Sequence, residues 1–519
     1  DYLLDLVEQQ LRRRGGGRGR GAQRVHRTGR RGHGLPARPR RAAGIRGRAA
    51  VSVYYEDDAV TVHHGDCIEV MRGLPSGSVD SIVTDPPYGI RFMGQAWDGA
   101  DIARRTQRGR DSGAQAPDGA RGPHGGYRSA SLEAGRYSRS LQDAWAFQEW
   151  CAEWAAECLR VLKPGGFMLA FGGARTWHRL ACAVEDAGFE VRDSIAWLYG
   201  SGFPKSVDVA RAIDARLGDL DARPIHGEKT VPDATLVRPA FAGGTYSDRA
   251  GATPHRTVPV SSAASAASAA WEGWGTALKP AFEPCVVARR PLDGTVADNV
   301  LDHGVGAIHV DACRIHSAGS EGRDYKVRRL KSGSELARTG GPWHSEDGGE
   351  TYVGRTKDGR WPTNVVLDEE AALALDAGAP ESVSRQGKPR QAAQSGEGWG
   401  MRATGAEYSD SGGPSRFFPV FPAFRYEAKA SADERPSVAG VSHPTVKPLA
   451  LMRWLVRLVT PYGGVVLDPF AGSGTTIEAA VAEGMRAVGV EREESYLPLI
   501  AARLGRPVTP VLDLGIGGM

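Results

Sequence analysis

A carboxylate, two prolines and a tyrosine follow an apolar run in the first fifth of the chain, as Asp85-Pro86-Pro87-Tyr88 after residues 78–84. The lone pair of an aromatic amino nitrogen is delocalised into its ring, so making it nucleophilic requires acceptors that hold its hydrogens. Asp85 offers a carboxylate, and the Pro86 carbonyl offers a second acceptor on a backbone stiffened by prolines. The Tyr88 ring can stack on an extruded base. The segment therefore predicts chemistry on an amino group, with a simple strand-ending turn as the alternative.

A glycine loop lies near the other end of the chain, at Asp468-Pro469-Phe470-Ala471-Gly472-Ser473-Gly474-Thr475. It falls between a predicted strand at 465–467 and a predicted helix at 476–482, and its glycines let the backbone approach a ligand closely. Glu491 ends the next predicted strand, 23 residues after Asp468, where a carboxylate can bind two ribose hydroxyls. This spacing is typical of nucleoside-binding βαβ units, although Gly-x-Gly alone also occurs where a strand packs tightly on a helix.

A third segment, His443-Pro444-Thr445-Val446-Lys447-Pro448, precedes the glycine loop by about 20 residues. Together the three segments resemble the DNA amino-methyltransferases, which transfer a methyl group from S-adenosyl-L-methionine to adenine N6 or cytosine N4. The catalytic segment comes before the cofactor loop, and this order resembles the circularly permuted beta group of that family. The resemblance implies double-stranded DNA as substrate. It leaves open the recognition sequence, the oligomeric state and the presence of a cognate restriction endonuclease.

The resemblance also assigns roles to individual residues. S-adenosylmethionine has no pyrophosphate, so its site needs a carboxylate near the ammonium, and Asp468 is the candidate. Asp66 would accept from the amino group of the cofactor adenine, with an N-cap as its alternative role. His443, Thr445 and Lys447 would line the methionine end. The predicted catalytic residues are Asp85, Pro86, Pro87 and Tyr88, and the predicted cofactor-binding residues are Asp66, His443, Thr445, Lys447, Asp468, Phe470, Gly472, Gly474, Thr475 and Glu491; no metal ion is required.

Composition narrows the class of protein further. The 519 residues are 41% hydrophobic and 24% charged, as in soluble globular proteins, and no apolar stretch approaches the roughly 18 residues that span a bilayer. The six cysteines form no Cys-x-x-Cys pair, which argues against a zinc site or a disulfide framework and favours a reducing cytoplasm. The start of the chain lacks the pattern of a secretory signal.

Strand and helix patterns alternate from residue 51 onward and must position these segments. Strands are predicted at 60–64, 78–84, 167–171 and 190–198, and helices at 67–72, 141–162 and 175–187. Regular patterns resume with a strand at 424–428, a helix at 449–459 and the glycine-loop unit. The alternation predicts an α/β fold with a doubly wound, mostly parallel sheet and an irregular inserted recognition lobe.

Four regions are expected along the chain. Residues 1–50 carry 14 Arg, no Lys and three acids, a net charge of +11 against −7 for the rest, and predict a disordered Arg/Gly-rich tail. Residues 51–205 form the catalytic half of the methyltransferase domain, 206–423 the target-recognition insert with a possible core strand at 272–292, and 424–510 the cofactor-binding half. Residues 94–140 are expected to be a long loop, and 261–270 a flexible linker or surface loop. Arginines that could meet phosphates are Arg289, Arg290, Arg314, Arg328 and Arg329.

Adenine is the predicted target base because, by resemblance, Asp at the first position of the tetrapeptide is more usual in adenine enzymes and Ser in cytosine enzymes. An N4-cytosine enzyme is the alternative. An RNA or protein methyltransferase is disfavoured by the motif order. A non-catalytic DNA-binding protein is disfavoured because the site residues Asp85, Tyr88, Gly472, Gly474 and Glu491 are all present.

Overall fold

Ten strands form one central sheet in the computed structural model. The structure describes residues 51–89, 141–200, 206–232, 255–316, 324–329, 350–355, 357–384, 410–421 and 436–505. The predicted tail at 1–50, the predicted loop at 94–140 and the strand predicted at 424–428 lie outside the described residues. In chain order the strands are β1 (Ser52–Glu56), β2 (Val60–His64), β3 (Val79–Thr84), β4 (Leu162–Phe171), β5 (Glu190–Leu198), β6 (Phe282–Arg289), β7 (Val365–Asp368), β8 (Val420–Phe421), β9 (Val465–Asp468) and β10 (Arg486–Glu491).

The sheet order is β1-β2-β10-β9-β3-β4-β6-β5-β7-β8. Most neighbours are parallel, while β1 is antiparallel to β2 and β6 is antiparallel to both β4 and β5. The core strand expected within 272–292 is therefore β6. The predicted insert at 206–423 also contributes β7 and β8, so this region is not separate from the sheet.

Helices cover both faces of the sheet, which confirms the predicted doubly wound fold. Ile82 and Met168 point into a core cluster formed with three helices, whereas their neighbours Val83 and Leu169 point into a second cluster on the opposite face. The helices of the first cluster are α1 (Cys67–Gly73), α2 (Leu141–Val161) and α3 (Trp177–Asp186). The helices of the second cluster are α8 (Leu449–Val459), α9 (Thr475–Ala482) and α10 (Leu497–Leu504). Between them in the chain lie α4 (Val209–Leu217), α5 (Ala266–Ala269), α6 (Val296–His303) and α7 (Glu369–Ala377).

Helix α2 shows why the sequence pattern predicts its element. Phe147, Trp150, Trp154 and Cys158 are buried along one face at three- and four-residue spacing. Leu162, predicted as the last residue of the helix, is instead the first residue of β4. No helix in the described ranges is long and apolar enough to cross a membrane.

The prediction of a flexible linker at 261–270 is wrong. Ser265 and Ser268 form a reciprocal capping box at the start of α5, and Ser268 is fully buried. Asp214 accepts hydrogen bonds from the Ala264 amide (3.1 Å) and the Ser265 hydroxyl (3.2 Å), and it pairs with Arg223. Small polar residues in low-complexity sequence are ordered here because a buried carboxylate gives their donors a partner.

Outside the central sheet the described residues include four two-stranded ribbons. These are Ile225–Pro232 with His255–Ser261, Asp324–Arg329 with Glu350–Arg355, Ser382–Val383 with Ser411–Gly412, and Ser437–Val438 with Val441–Ser442. Short 3-10 helices occur at Leu220–Ala222, Asp311–Cys313, Pro414–Phe417 and Glu494–Tyr496.

Two of the arginines predicted as phosphate contacts are occupied in the fold. The Arg289 guanidinium pairs with Glu190 at 2.6 Å across the β5–β6 ladder. The Arg290 guanidinium donates to the carbonyls of Leu159 (3.2 Å) and Leu162 where α2 ends and β4 begins. Because α2 leaves carbonyls without intrahelical partners at this end, Arg290 satisfies the helix terminus.

Candidate active site

The pairing of β3 with β9 brings the two motifs together across almost four hundred residues of sequence. The strands are parallel, with Ile82 opposite Leu467, so their carboxyl ends meet at one edge of the sheet. There the Thr84 hydroxyl donates to Asp468 Oδ1 at 2.7 Å. Asp85 follows Thr84, and the glycine loop follows Asp468, so the amino-group segment and the cofactor loop are adjacent at the edge where open α/β sheets bind ligands.

Asp85 lies in a compact cluster of polar groups. Its Oδ1 accepts from the Tyr88 hydroxyl at 2.8 Å, and its Oδ2 accepts from the Lys447 ammonium at 2.5 Å. The same hydroxyl and ammonium both lie 3.2 Å from Glu283 Oε2. A carboxylate has about four lone-pair positions, so Asp85 keeps capacity to accept from a substrate amino group.

Tyr88 is tethered at its hydroxyl, its ring and its backbone. A Cβ atom at Gly173 would come within 3.0 Å of the Tyr88 ring, and the Thr176 hydroxyl donates to the Tyr88 carbonyl at 2.9 Å. Burial, followed by the nearby Asp85 and Glu283 charges, raises the pKa of the Tyr88 hydroxyl well above its usual value, so the phenol stays a proton donor. Of the two prolines, Pro86 is buried and Pro87 half-buried.

The glycine loop has the close-packed backbone that the sequence predicts. Gly472 and Gly474 have φ angles of +54° and +84°, which favour glycine. A Cβ at Gly472 would come within 3.1 Å of the His443 imidazole, and one at Gly474 within 3.0 Å of Ile500. Buried Thr475 begins α9 directly after the loop.

Two buried carboxylates support this loop. Glu491 accepts from the Gly472 amide at 2.7 Å and from the Glu493 amide at 2.7 Å. Burial raises the pKa of Glu491 to about 7 despite these donors. Burial likewise raises the pKa of Asp468 to about 6, although hydroxyls of Thr84 and Thr476 oppose the shift. Both acids thus titrate close to neutral pH.

The residues of the His443–Pro448 segment reach two different parts of the site. The His443 ring lies against the glycine loop, with its centre 4.6 Å from the Tyr496 ring centre, and its Nδ1 accepts from the Thr445 amide at 3.3 Å. Lys447 instead contacts the catalytic segment. Burial opposes the charge of Lys447, but Asp85 and Glu283 outweigh it and leave its pKa above the usual value.

Two other predicted cofactor residues have structural contacts. The Asp66 side chain accepts from the Ile68 amide at 3.1 Å as the N-cap of α1, and it follows β2, whose neighbour β10 ends at Glu491. The Phe470 ring packs against Trp150 (5.8 Å between ring centres) and Trp154 (5.4 Å). Phe470 is itself a residue of the glycine loop, and Asp66 lies near Glu491 through the β2–β10 pairing. The roles of both residues in cofactor binding stay predictions.

Glu283 is the member of the cluster that sequence reasoning missed. The sequence predicts only that Glu283 lies in a core strand, because its partners Tyr88 and Lys447 are far away in sequence. The signal that could have identified it is a carboxylate inside the apolar run of β6. It is 5% exposed, and a buried carboxylate requires partners.

The described residues contain no group of three or more His, Cys, Asp or Glu residues arranged to hold a metal ion. All six cysteines are unpaired, and Cys182 is the exposed one. The cluster at Asp85 consists of two carboxylates, one ammonium and one hydroxyl, which are groups that form hydrogen bonds and transfer protons.

An α/β sheet with an amino-group acceptor site beside a nucleoside-type glycine loop defines the methyltransferase class. The chain belongs to the N6/N4 DNA methylase family, whose pattern matches residues 79–215 and 344–502. These ranges include Asp85-Pro86-Pro87-Tyr88, Lys447, the glycine loop and Glu491. The predicted family is therefore confirmed, and S-adenosylmethionine is the methyl donor of this class of DNA methyltransferases.

Individual relatives agree with this assignment. The chain is 22% identical over 447 residues to the Type II methyltransferase M.HindIII of Haemophilus influenzae, which covers 86% of this chain and 94% of the relative. It is 37% identical over 81 residues to the Type II methyltransferase M.ScaI of Streptomyces caespitosus, covering 16% of this chain and 27% of the relative. A solved structure of PvuII DNA methyltransferase (cytosine-N4-specific) aligns at 12% identity over 88% of this chain and 90% of that chain, but its TM-score of 0.34 supports no further argument.

Proposed function

We propose that this chain is a Type II, site-specific DNA methyltransferase that methylates adenine N6. The observation that carries the proposal is the hydrogen bond from Thr84 to Asp468, which sets the amino-group segment directly beside the cofactor loop. The site-specific character follows the two Type II relatives. Residues 206–423 are proposed to carry the target-recognition elements, since the sequence between the catalytic and cofactor motifs holds them in enzymes of this type.

The residues at the loop fit an S-adenosyl nucleoside. Gly472 and Gly474 adopt left-handed φ angles that keep the loop tight, and Glu491 offers carboxylate oxygens to ribose hydroxyls. Asp468 offers a buried carboxylate toward the ammonium of the methionine moiety. When bound, S-adenosylmethionine supplies an electrophilic methyl group on a sulfonium.

The catalytic residues act on the amino group of an extruded base. Asp85 and the Pro86 carbonyl accept hydrogen bonds from its two N–H groups. These bonds turn the nitrogen toward tetrahedral geometry and free its lone pair. Nitrogen bonds to the methyl carbon as the carbon–sulfur bond breaks and its electron pair stays on sulfur. One amino proton then passes to Asp85 and on to solvent. The main contribution of the protein is positioning, because the nucleophile and the methyl group must lie in line.

Adenine N6 and cytosine N4 present the same conjugated amine, so the chemistry of Asp85 serves either base. The choice of adenine rests on Asp at the first position of the tetrapeptide. The test is to incubate the protein with tritiated S-adenosylmethionine and duplex DNA, digest the DNA and resolve the nucleosides by mass spectrometry. N6-methyladenine is the expected product. N4-methylcytosine as the sole product would overturn the base assignment, and label in RNA or protein but not DNA would overturn the proposed substrate.

The proposed partners are double-stranded DNA and a cognate restriction endonuclease. Sequencing DNA from an expressing host with modified-base detection should reveal one short recognition sequence. DNA modified in this way should resist a nuclease of the same specificity, and modification scattered without a common sequence would contradict the Type II proposal.

A further inference from the structure

Glu283 is a buried acid at the catalytic edge of the sheet. It is the second residue of β6. This strand runs antiparallel to β4, so β6 begins at the edge of the sheet where β3 and β4 end. The Gly172 amide, just after β4, donates to the Pro284 carbonyl at 2.9 Å and fixes this end of the strand. Residue 283 lies outside both segments that match the family pattern, so family membership assigns it no role.

The contacts of Glu283 form a closed ring of four polar groups. The Tyr88 hydroxyl bridges the two carboxylates, 2.8 Å from Asp85 and 3.2 Å from Glu283. The Lys447 ammonium bridges the same two acids, at 2.5 Å and 3.2 Å, and lies 3.1 Å from the Tyr88 hydroxyl. It also lies 4.7 Å from the centre of the Phe171 ring. Lys447 is 3% exposed, so water does not replace these partners.

Charge decides what this ring does to Asp85. Two carboxylates and one ammonium give the ring a net charge of −1. Without the ammonium, the Asp85 and Glu283 carboxylates would share one hydroxyl and repel each other, which would displace Asp85 from the position in which it accepts from an amino group. Without Glu283, the ammonium would lose one of the two carboxylates that fix its position.

We propose that Glu283 is a positioning residue for methyl transfer: together with Tyr88 it holds Lys447 against Asp85, so that the Asp85 carboxylate stays oriented toward the amino group of the target base. This inference rests on the proposed function of Asp85. Glu283 acts through Lys447 and Tyr88.

The test is a double-mutant cycle of Glu283→Gln and Lys447→Met. The ring charge is −1 in the wild type, 0 in Glu283→Gln, −2 in Lys447→Met and −1 again in the double variant. The single-turnover rate of methyl transfer to duplex DNA is measured at saturating cofactor and DNA. We expect a loss of about tenfold for Glu283→Gln and about 100-fold for Lys447→Met, and a recovery of about tenfold in the double variant relative to Lys447→Met. A merely structural role would make the double variant the least active.

Glu190→Gln is the control variant. Glu190 on β5 also pairs with a basic residue, Arg289, but at the end of β6 that lies away from Glu283. Its rate should stay at the wild-type level. Affinity for S-adenosylmethionine, measured by calorimetry, should change less than about threefold in Glu283→Gln, which shows that the variant is folded. Glu283→Asp keeps the charge with a shorter reach and should lie between the wild type and Glu283→Gln.

The outcomes separate the two proposals. A wild-type protein that transfers no methyl group to DNA overturns the proposed function, and this inference with it. An active wild type whose double variant is no faster than Lys447→Met overturns the inference alone. If Glu283→Gln does not fold, the rate of Glu283→Asp decides: a wild-type rate combined with a wild-type pH profile would also overturn it.

Discussion

At the scale of single residues, we expect Asp85 to serve substrate chemistry and Gly472 to serve cofactor binding. Asp85→Ala removes the acceptor for the amino group, and we expect methyl transfer to fall more than about 100-fold while cofactor affinity stays within about threefold of wild type. Gly472→Val forces a branched side chain into a left-handed conformation with its Cβ 3.1 Å from His443. It should therefore abolish cofactor binding itself, as measured by calorimetry with S-adenosylmethionine.

The control for Gly472→Val is Gly77→Val. Gly77 has a similar φ of +65°, but a Cβ there would meet no atom within 4 Å. Gly77→Val therefore introduces the same backbone strain as Gly472→Val. Because Gly77 lies in the turn before β3 and not in the glycine loop, the variant should leave cofactor affinity unchanged. Equal losses of cofactor affinity in the Asp85 and Gly472 variants would refute this division of roles.

We expect Glu491 to give cofactor binding a pH dependence. Burial favours its neutral form and raises its pKa to about 7, whereas ribose hydroxyls are best accepted by the ionised form. At higher pH a larger fraction of the free protein has Glu491 ionised, so its affinity for the cofactor should increase with pH. With a pKa of about 7, the ionised fraction and the affinity should rise about tenfold from pH 6 to pH 8 and level off above.

The matched variant is Glu491→Gln, which cannot ionise. Calorimetry across the same pH range should give weaker binding with a flat profile. A Glu491→Gln protein that keeps the full pH dependence would assign the effect to Asp468, whose pKa is raised to about 6.

At the scale of secondary structure, the sequence predicts most strands and helices of the core well. The strands at Val60–His64 and Glu190–Leu198 and the helix at Leu449–Val459 have the predicted bounds. Apolar periodicity and the flanking Gly and Pro residues define these elements locally. β7 and β8 could not be found in this way, because strands of four and two residues carry too little periodicity.

The sequence predicts site residues where the chemistry depends on a local motif, as in the tetrapeptide at 85–88 and the glycine loop, and the structure brings these two motifs together. Glu283 could not, because its role follows from the position of β6 in the sheet, and sheet order is not a local property. Lys447 illustrates the same limit: the sequence places it in the His443–Pro448 segment, but only the fold shows that its ammonium lies on Asp85.

The link between β3 and β9 is itself testable. Thr84→Val is nearly isosteric and removes the hydroxyl that donates to buried Asp468. Leaving this carboxylate short of one donor should cost about 1–3 kcal/mol of stability and slow methyl transfer, because the two motifs lose their direct connection. Thermal unfolding and single-turnover rates are the measurements. Thr230→Val, on the exposed Ile225–Pro232 strand, is the control and should change neither. Unchanged unfolding in Thr84→Val would show that this bond does not hold the edge together.

At the scale of the whole molecule, the sheet order explains how a permuted chain builds one site. β9 and β10 come last in sequence but lie between β2 and β3 in the sheet. The cofactor loop therefore lies beside a catalytic strand that is far away in sequence. The intervening region can change in length without moving the two motifs apart, provided that β6, which supplies Glu283, keeps its place between β4 and β5.

The charge distribution of the whole chain leads to a last prediction, about residues 1–50. This segment carries a net charge of +11, and the remaining residues carry −7, so the net positive charge of the chain is concentrated in a segment that can make non-specific contacts with phosphates. Deleting it should leave the recognised sequence and the turnover at saturating DNA unchanged, since every site residue lies after position 65. It should weaken binding at low salt and flatten the dependence of log affinity on log salt concentration, because fewer counterions are released. Fluorescence anisotropy with a duplex between 50 and 200 mM salt, the range over which such contacts lose most affinity, measures this slope. A truncated protein that folds and binds cofactor but methylates a different sequence would show that the segment reads bases rather than phosphates.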